Sequence, residues 1–286
     1  MSGEARKVSR RRVLGWVTQT AAVVGGLTLG RPGHLAAAAS GDPPVVRTAV
    51  TAVRPARQVH DVLLAAPQNA VALTIDDGPD PLWTPQMLDL LHRTGVRATF
   101  SLIGAQAHAY PGLVKRILAE GHGVTNHSMT HPQPFSRGAS ATIRRQITDA
   151  QSAITDAGGV APKLFRAPGG DWSAAVFSAV QDLQMVPLGW DIDPRDWSRP
   201  GTGSVTTRLL AARAGDILLC HDGGGNRAQT IESLRTVLPV RGVDDLGVEL
   251  NPVDLPLARL EGGDRRGGRG GERVEPGRRR EHGVAV

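Results

Sequence analysis

Residues 71–80 read Val-Ala-Leu-Thr-Ile-Asp-Asp-Gly-Pro-Asp, an apolar stretch that ends in two neighbouring carboxylates. The run 71–75 has the length and composition of a buried strand. Adjacent carboxylates at the end of a strand can point to different sides, so Asp76 and Asp77 could divide cation binding and proton transfer between them. Asp-Gly-Pro-Asp is also typical of a turn, and this stretch alone leaves both interpretations open.

Beyond this strand, short apolar runs alternate with stretches of helical period. The predicted strands are 71–75, 98–103, a segment ending at 126, 164–166, 185–190 and 216–220. The predicted helices are 84–93, 111–119, 143–157, 174–182, 206–213 and 230–238. This alternation predicts an α/β fold with a parallel sheet covered by helices. It fits a small or incomplete α/β barrel, whose chemistry lies after the strand ends, but an open doubly wound sheet would show the same pattern.

Two further predicted strands also lead into polar segments. Residues 126–132 contain His127 and His131, and histidines four residues apart can converge on one metal ion if a third ligand is available. That spacing also arises by chance. Residues 216–220 lead to His221 and a glycine-rich turn, where a histidine could exchange protons near neutral pH. A purely structural histidine is the alternative there, and Cys220 is predicted to be a buried strand residue.

Taken in order, five short motifs resemble those of the polysaccharide deacetylases with a NodB-homology domain, the fourth carbohydrate esterase family. The motifs are Thr74–Gly78, His127–His131, Arg166–Gly170, Asp193–Trp197 and Leu219–His221. The resemblance covers about residues 70–238. It implies a distorted, incomplete (β/α)7 barrel of the NodB-homology type.

The resemblance also implies a role for individual residues. The metal ligands would be Asp77, His127 and His131, with Zn²⁺ as the expected ion and Co²⁺ or Ni²⁺ as alternatives. Asp76 would be the general base, and His221 the acid that protonates the leaving group. The supporting residues would be Arg166, which orients the base, Asp193, which partners His221, and Gly169, whose N–H helps hold the oxyanion in place of the usual tyrosine. Trp197 and Leu219 would line the pocket for the acetyl methyl group.

The expected activity is therefore metal-dependent removal of acetyl groups from an extracellular polysaccharide. N-acetyl groups of cell-wall amino sugars, in peptidoglycan or a chitin-like polymer, are the favoured substrate. Two alternatives remain open at this point: an acetylxylan esterase of the same family, and a homologue that binds glycans without catalysis.

The flanking segments differ from this domain, which is predicted over residues 69–240. Residues 1–39 resemble a twin-arginine export signal, with Arg10, Arg11 and Arg12 before a weakly apolar run and Ala37–Ala39 as a cleavage site. They carry +5 of the net charge of +6, so the remainder is nearly neutral and nucleic acid is not an expected partner. Cleavage would leave no stable membrane anchor, and the protein would be secreted or associated with the cell wall.

Two other segments complete the predicted organisation. Residues 40–68 are interpreted as a linker or loosely packed segment. Residues 241–286 form a Gly/Arg-rich tail without an apolar stripe and are predicted to be disordered. This tail is interpreted either as a natural extension or as a frameshift product that replaced a final strand, beginning near residues 239–243. Without that strand, the edge beside the His221 strand would be uncovered.

Overall fold

The computed structural model describes residues 54–245, with side chains as far as residue 240. Within that range one sheet contains six strands, β1 (Ala72–Asp76), β2 (Thr99–Leu102), β3 (Gly123–Asn126), β4 (Leu164–Phe165), β5 (Val186–Pro187) and β6 (Ile217–His221). The helices are α1 (Val59–Val62), α2 (Trp83–Thr94), α3 (Gly104–Ala109), α4 (Pro111–Ala119), α5 (Ser140–Gly158), α6 (Ala174–Asp182), α7 (Thr202–Leu210) and α8 (Ala228–Asp245). The predicted signal peptide, the start of the predicted linker and residues 246–286 of the predicted tail lie outside the described residues.

The strands run in the order β5-β4-β3-β2-β1-β6, and all neighbouring pairs are parallel. Parallel strands end at the same edge of a sheet, so the loops that follow them meet there. In this register Asp76 of β1 lies between Ser101 of β2 and His221 of β6. The two residues predicted as base and acid are therefore neighbours across one pair of strands.

Residues 56–58 and 188–192 join the two outer strands of this sheet. The isolated bridges pair Ala56 with Leu188, Gln58 with Asp216, and Ile192 with Leu218. The N–H of Leu219 donates to Ile192 O at 2.9 Å, so the outer edge of β6 is paired. The sheet is thus a curled, incomplete barrel and not an open doubly wound sheet. The predicted uncovered edge beside β6 is wrong, because the chain after β5 returns to cover it.

Two boundaries also differ from the sequence interpretation. The described part of the predicted linker belongs to the fold, because Ala56, Val59 and Val62 are buried against the strands. Residues 239–243, considered as the start of a final strand, lie within α8. No helix between residues 54 and 245 has both the length and the apolar character that a membrane span requires.

Alternating residues of β1 face two environments. Leu73 and Ile75 pack in the apolar cluster between the sheet and the helices. Ala72 faces the interior of the barrel, where it packs with Leu164 in a second apolar cluster near the start of the strands. Thr74 and Asp76 follow on that interior side and hydrogen-bond to the buried Arg166. The interior is therefore apolar at the start of the strands and polar at their ends.

Candidate active site

Arg166 and Asp76 form a buried ion pair at the end of β1. The guanidinium Nη1 donates to Asp76 Oδ1 at 2.7 Å and to Thr74 Oγ1 at 2.8 Å, while Nη2 donates to Gly189 O at 2.8 Å. The Arg166 side chain is fully buried, and its guanidinium carbon lies 5.6 Å from the centre of the Trp190 ring. A buried charge is tolerated when it is paired and hydrogen-bonded. These contacts hold the Asp76 carboxylate in one orientation.

Asp77 points to a different set of partners. Its φ of 76° lies in the left-handed region. The Asp77 Oδ1 atom is 3.4 Å from Nε2 of His127 and 3.4 Å from Nε2 of His131. One ligand atom from each of these three residues lies within 4.8 Å of the others. The structure thus brings together all three residues predicted as metal ligands.

The donor chemistry of this cluster fits a divalent cation. His127 Nδ1 is 2.8 Å from Arg166 O, so this ring nitrogen donates to the carbonyl and Nε2 is the ring atom that faces Asp77. Asp77 Oδ1 is buried and accepts no hydrogen bond from the described residues. An orphaned carboxylate oxygen beside two imidazole nitrogens is the arrangement that a cation would satisfy.

The charges around the cluster also favour an ionised carboxylate. Burial by itself would raise the pKa of Asp77, but contact with His127 and the charges of His221 and His131 outweigh it and hold the pKa well below its usual value. Burial lowers the pKa of His131, which leaves this ring neutral near pH 7. Asp77 and His131 are therefore in the protonation states that metal ligation requires.

His221 lies against Asp196, and the predicted pairing with Asp193 is wrong. His221 Nδ1 is 2.8 Å from Asp196 Oδ1, and Asp196 Oδ2 accepts from the backbone N–H of His221 and the hydroxyl of Thr230. Asp193 Oδ1 instead accepts from the backbone N–H of Arg195 at 2.7 Å, which closes a local turn. The 3-10 turn Asp196–Ser198 carries the second aspartate of the motif inward and leaves the first at the turn.

Asp196 determines the charge state of His221. Burial alone would lower the pKa of this histidine, but the hydrogen bond and charge of Asp196 outweigh it, and the pKa is raised. The histidine in turn lowers the pKa of Asp196, although burial opposes this. The pair therefore keeps a proton on His221 at a pH where an isolated histidine would release it.

The remaining predicted residues lie around this centre. Gly169 has a φ of 63°, a conformation that disfavours the tyrosine usual at this position, and its N–H donates to no residue among those described. Leu219 is buried on the same side of β6 as His221. Trp197 is 47% exposed, with the Arg195 guanidinium 5.3 Å from its ring centre.

Asp222 is a site residue that the sequence analysis did not identify. It is fully buried, and its Oδ2 accepts from the hydroxyl of Thr84 at 2.6 Å. Burial, with the charges of Asp77 and Asp80, raises its pKa to about 7. A Cβ at Gly223 would collide with the backbone carbonyl of Asp77, so only glycine allows the loops after β1 and β6 to approach this closely. The position of Asp222, directly after His221 and before that glycine, was the available sequence signal.

Comparison with known proteins assigns this architecture to a family. Residues 64–188 match the sequence profile described as polysaccharide deacetylase. A peptidoglycan-N-acetylglucosamine deacetylase from Bacillus cereus is 41% identical over 175 residues, which cover 60% of this chain and 81% of the relative. The chain belongs to the polysaccharide deacetylase family. A chitooligosaccharide deacetylase from Sinorhizobium fredii is 40% identical over 182 residues, 59% of this chain and 84% of that relative.

Solved structures of the family 4 carbohydrate esterases share the fold. An acetyl xylan esterase from Clostridium thermocellum in complex with a cobalt ion has a TM-score of 0.56 and 30% identity, covering 60% of this chain and 82% of its own. A pseudoenzyme of the same esterase family from Bacillus anthracis has a TM-score of 0.59 and 27% identity, covering 68% of this chain and 66% of its own. The neighbours thus confirm the NodB-type barrel and include both a metal complex and a pseudoenzyme.

Proposed function

We propose that this polysaccharide deacetylase is an exported, metal-dependent enzyme that hydrolyses N-acetyl groups on amino sugars of a cell-wall polysaccharide. One observation carries the proposal. The Arg166-oriented carboxylate of Asp76 and the Asp196-oriented imidazole of His221 are cross-strand neighbours beside the Asp77, His127 and His131 cluster. A base, an acid and a cation site are the groups that amide hydrolysis requires.

The cluster of Asp77, His127 and His131 would hold the cation, for which Zn²⁺, Co²⁺ and Ni²⁺ all suit two imidazoles and one carboxylate. When bound, the cation would polarise the acetyl carbonyl and acidify water. Asp76 would accept the proton of the attacking water, because the ion pair with Arg166 holds its carboxylate in place. The second carboxylate oxygen of Asp76 lies 3.7 Å from Nε2 of His127, which puts the base at the edge of the cation site.

His221 would complete the reaction. Asp196 keeps the imidazole protonated, so His221 can give its proton to the departing amine. The N–H of Gly169, which has no partner among the described residues, would donate to the oxyanion that forms on the acetyl oxygen. Leu219 lies on the His221 side of β6 and would contact the acetyl methyl group, together with Trp197.

The relatives support amino sugars as the substrate. Those compared above are a peptidoglycan-N-acetylglucosamine deacetylase and a chitooligosaccharide deacetylase. Acetylxylan is the second candidate, because a structural neighbour is an acetyl xylan esterase. A glycan-binding role without catalysis is the third, because another neighbour is a pseudoenzyme. The complete set of base, acid and cation-binding residues favours activity over that last alternative.

Acetate release from a panel of acetylated glycans tests the proposal. The panel contains peptidoglycan, chitooligosaccharides and acetylated xylan, each assayed after metal removal and after addition of Zn²⁺ or Co²⁺. We expect metal-dependent release from the two amino-sugar polymers. Release from xylan alone would assign an esterase function, and no release with any metal or glycan would favour the non-catalytic alternative.

We also propose export through the twin-arginine pathway, on the basis of Arg10, Arg11 and Arg12. Changing all three to lysine should leave the precursor in the cytoplasm, while an Arg6→Lys variant serves as the control. Secretion of the triple variant at the wild-type level would indicate the general secretory route instead.

A further inference from the structure

The loop of residues 193–200 presents two arginines beside an exposed indole at the rim of the active site. Arg195 and Arg199 flank the 3-10 turn Asp196–Ser198, and both have a φ in the left-handed region, 58° and 54°. Both arginines are exposed, and Trp197 between them is 47% exposed. We call residues 193–200 the arginine–tryptophan loop. Left-handed backbone at two non-glycine residues is uncommon and is typical of loops that serve a functional site.

This loop is held firmly against the catalytic acid. Asp196 at its centre is buried and hydrogen-bonded to His221. The hydroxyl of Ser198 donates to Arg195 O at 2.8 Å, and Arg208 of α7 donates to Pro194 O at 3.0 Å. The exposed side chains on either side of Asp196 therefore occupy a defined position next to the proton donor.

The positive charge of the loop is not neutralised by its neighbours. Asp193 accepts from the backbone of Arg195, and the Asp196 carboxylate is occupied by His221 and Thr230. Within residues 54–240, neither the Arg195 nor the Arg199 guanidinium pairs with a carboxylate. The Arg195 guanidinium instead lies 5.3 Å from the ring centre of Trp197, which is a cation–π geometry.

We propose that the arginine–tryptophan loop is a specificity site for an anionic glycan. It would bind a carboxylate on the sugar next to the acetylated one. The inference rests on the proposed deacetylase function and adds the chemical class of its substrate. An indole face stacks on a sugar ring, and a guanidinium pairs with a carboxylate through charge-assisted hydrogen bonds. A cell-wall strand freed of stem peptides, in which lactyl-ether sugars alternate with N-acetylglucosamine, offers both features at adjacent positions, whereas a neutral chitin oligomer offers only the ring.

The test compares substrates that differ only in that carboxylate. Glycan strands freed of stem peptides are used either with free lactyl carboxylates or after conversion of the carboxylates to methyl esters. With the metal-loaded enzyme, we expect kcat/KM to be about three- to tenfold higher for the free carboxylates, because exposed charge pairs give modest gains. The difference should lie in KM and should shrink as salt is raised from 0.05 to 0.5 M.

Arginine variants assign the effect to this loop. Arg195→Gln and Arg199→Gln, alone and combined, should bring the ratio of kcat/KM for the two substrates towards one. Arg195→Lys should keep part of the preference for free carboxylates, since lysine retains the charge but lacks the planar guanidinium that binds a carboxylate through two hydrogen bonds. Arg213→Gln is the matched control, because this exposed arginine precedes β6 at the opposite end of the strand from His221. The control should retain the wild-type ratio.

Equal kcat/KM for the two substrates, or a wild-type ratio in the double glutamine variant, would overturn the proposal. Absence of acetate release from every strand and from chitooligosaccharides would instead contradict the proposed function. In that case the proposed carboxylate site is tested by calorimetry, which measures binding of the same two strand preparations to the metal-loaded protein. Tighter binding of free carboxylates that is lost in the double variant supports the site, and equal binding overturns it.

Discussion

Asp196 Oδ1 lies 2.8 Å from His221 Nδ1, and Asp196 Oδ2 accepts the backbone N–H of the same histidine at 2.9 Å. The aspartate thus binds both the ring and the main chain of His221. This double contact fixes where the imidazole points, and the negative charge raises its pKa against the effect of burial. In this chain Asp196 therefore occupies the position of the acid's partner.

Replacing Asp196 should change the pH dependence of the enzyme. His221 acts as an acid, so the protonated form is active and activity is lost as pH rises through its pKa. That pKa is raised in the wild type. In Asp196→Asn the charge of Asp196 is lost while burial remains, so the pKa should fall and the loss should occur at lower pH, with kcat/KM at pH 8 reduced by about 10- to 100-fold. Asp193→Asn is the control, and an equal shift in both variants would contradict the assignment.

Removing either proton-transfer group should abolish most of the turnover and spare metal binding. Asp76→Asn keeps an oxygen that Arg166 can hold but loses the base, and His221→Ala loses the acid. Each should lower kcat by roughly 10²–10⁴-fold. Acetate release and metal content are measured on the same preparations. A loss of less than about threefold in either variant would show that the roles are wrong.

Metal binding should stabilise the protein through Asp77, His127 and His131. After chelation, acetate release should be lost, and Zn²⁺ or Co²⁺ should restore it. At free metal a hundredfold above Kd, the free energy of unfolding should rise by about 2.7 kcal/mol, seen as a higher Tm in calorimetry. His131→Ala should remove this gain, while His108→Ala, at an exposed histidine of α3, should retain it. Full activity of the chelated enzyme would refute the proposed mechanism.

The hydroxyl of Thr84 should contribute measurably to stability. It accepts from the backbone N–H of Asp80 at 2.7 Å and donates to Asp222 at 2.6 Å, in a buried position. Thr84→Val leaves both partners unsatisfied, so the free energy of unfolding should fall by about 2–4 kcal/mol. Thr94→Val is the control, because the Thr94 hydroxyl is half-buried and donates only to two backbone carbonyls within α2. Urea denaturation of the metal-loaded proteins compares them, and equal losses would contradict the argument.

A chain that ends after Asp245 should fold and act like the full chain. The outer edge of β6 is already paired with Ile192, so no strand from residues 246–286 is needed to cover it. We expect the shortened chain to stay soluble, with the same Tm and the same acetate release. Aggregation, or a Tm more than about 5 °C lower, would show that the tail supports the barrel.

The strands and helices were largely predictable from the sequence because their patterns are local. Residues 174–182 were predicted as a helix and form α6, with bounds that match. The apolar run 71–75 became β1, shifted by one residue. The segments around Asp77, His127 and His131 could be predicted as parts of one site because each follows a strand, and parallel strands end at the same edge of the sheet.

The contacts that complete the site depend on distant parts of the chain. The family resemblance predicted Asp193 as the partner of His221, but the turn Asp196–Ser198 places Asp196 there instead. Closure of the barrel could not be predicted from the sequence either. Ala56 and Ile192 pair at the outer strands through isolated bridges, which leave no periodic pattern in the sequence. The sequence by itself determined the α/β alternation and the residue types of the site, since both follow from local composition. Only the tertiary structure decided which carboxylate serves the acid and which segments close the sheet, because those choices depend on where a folded backbone places atoms far apart along the chain.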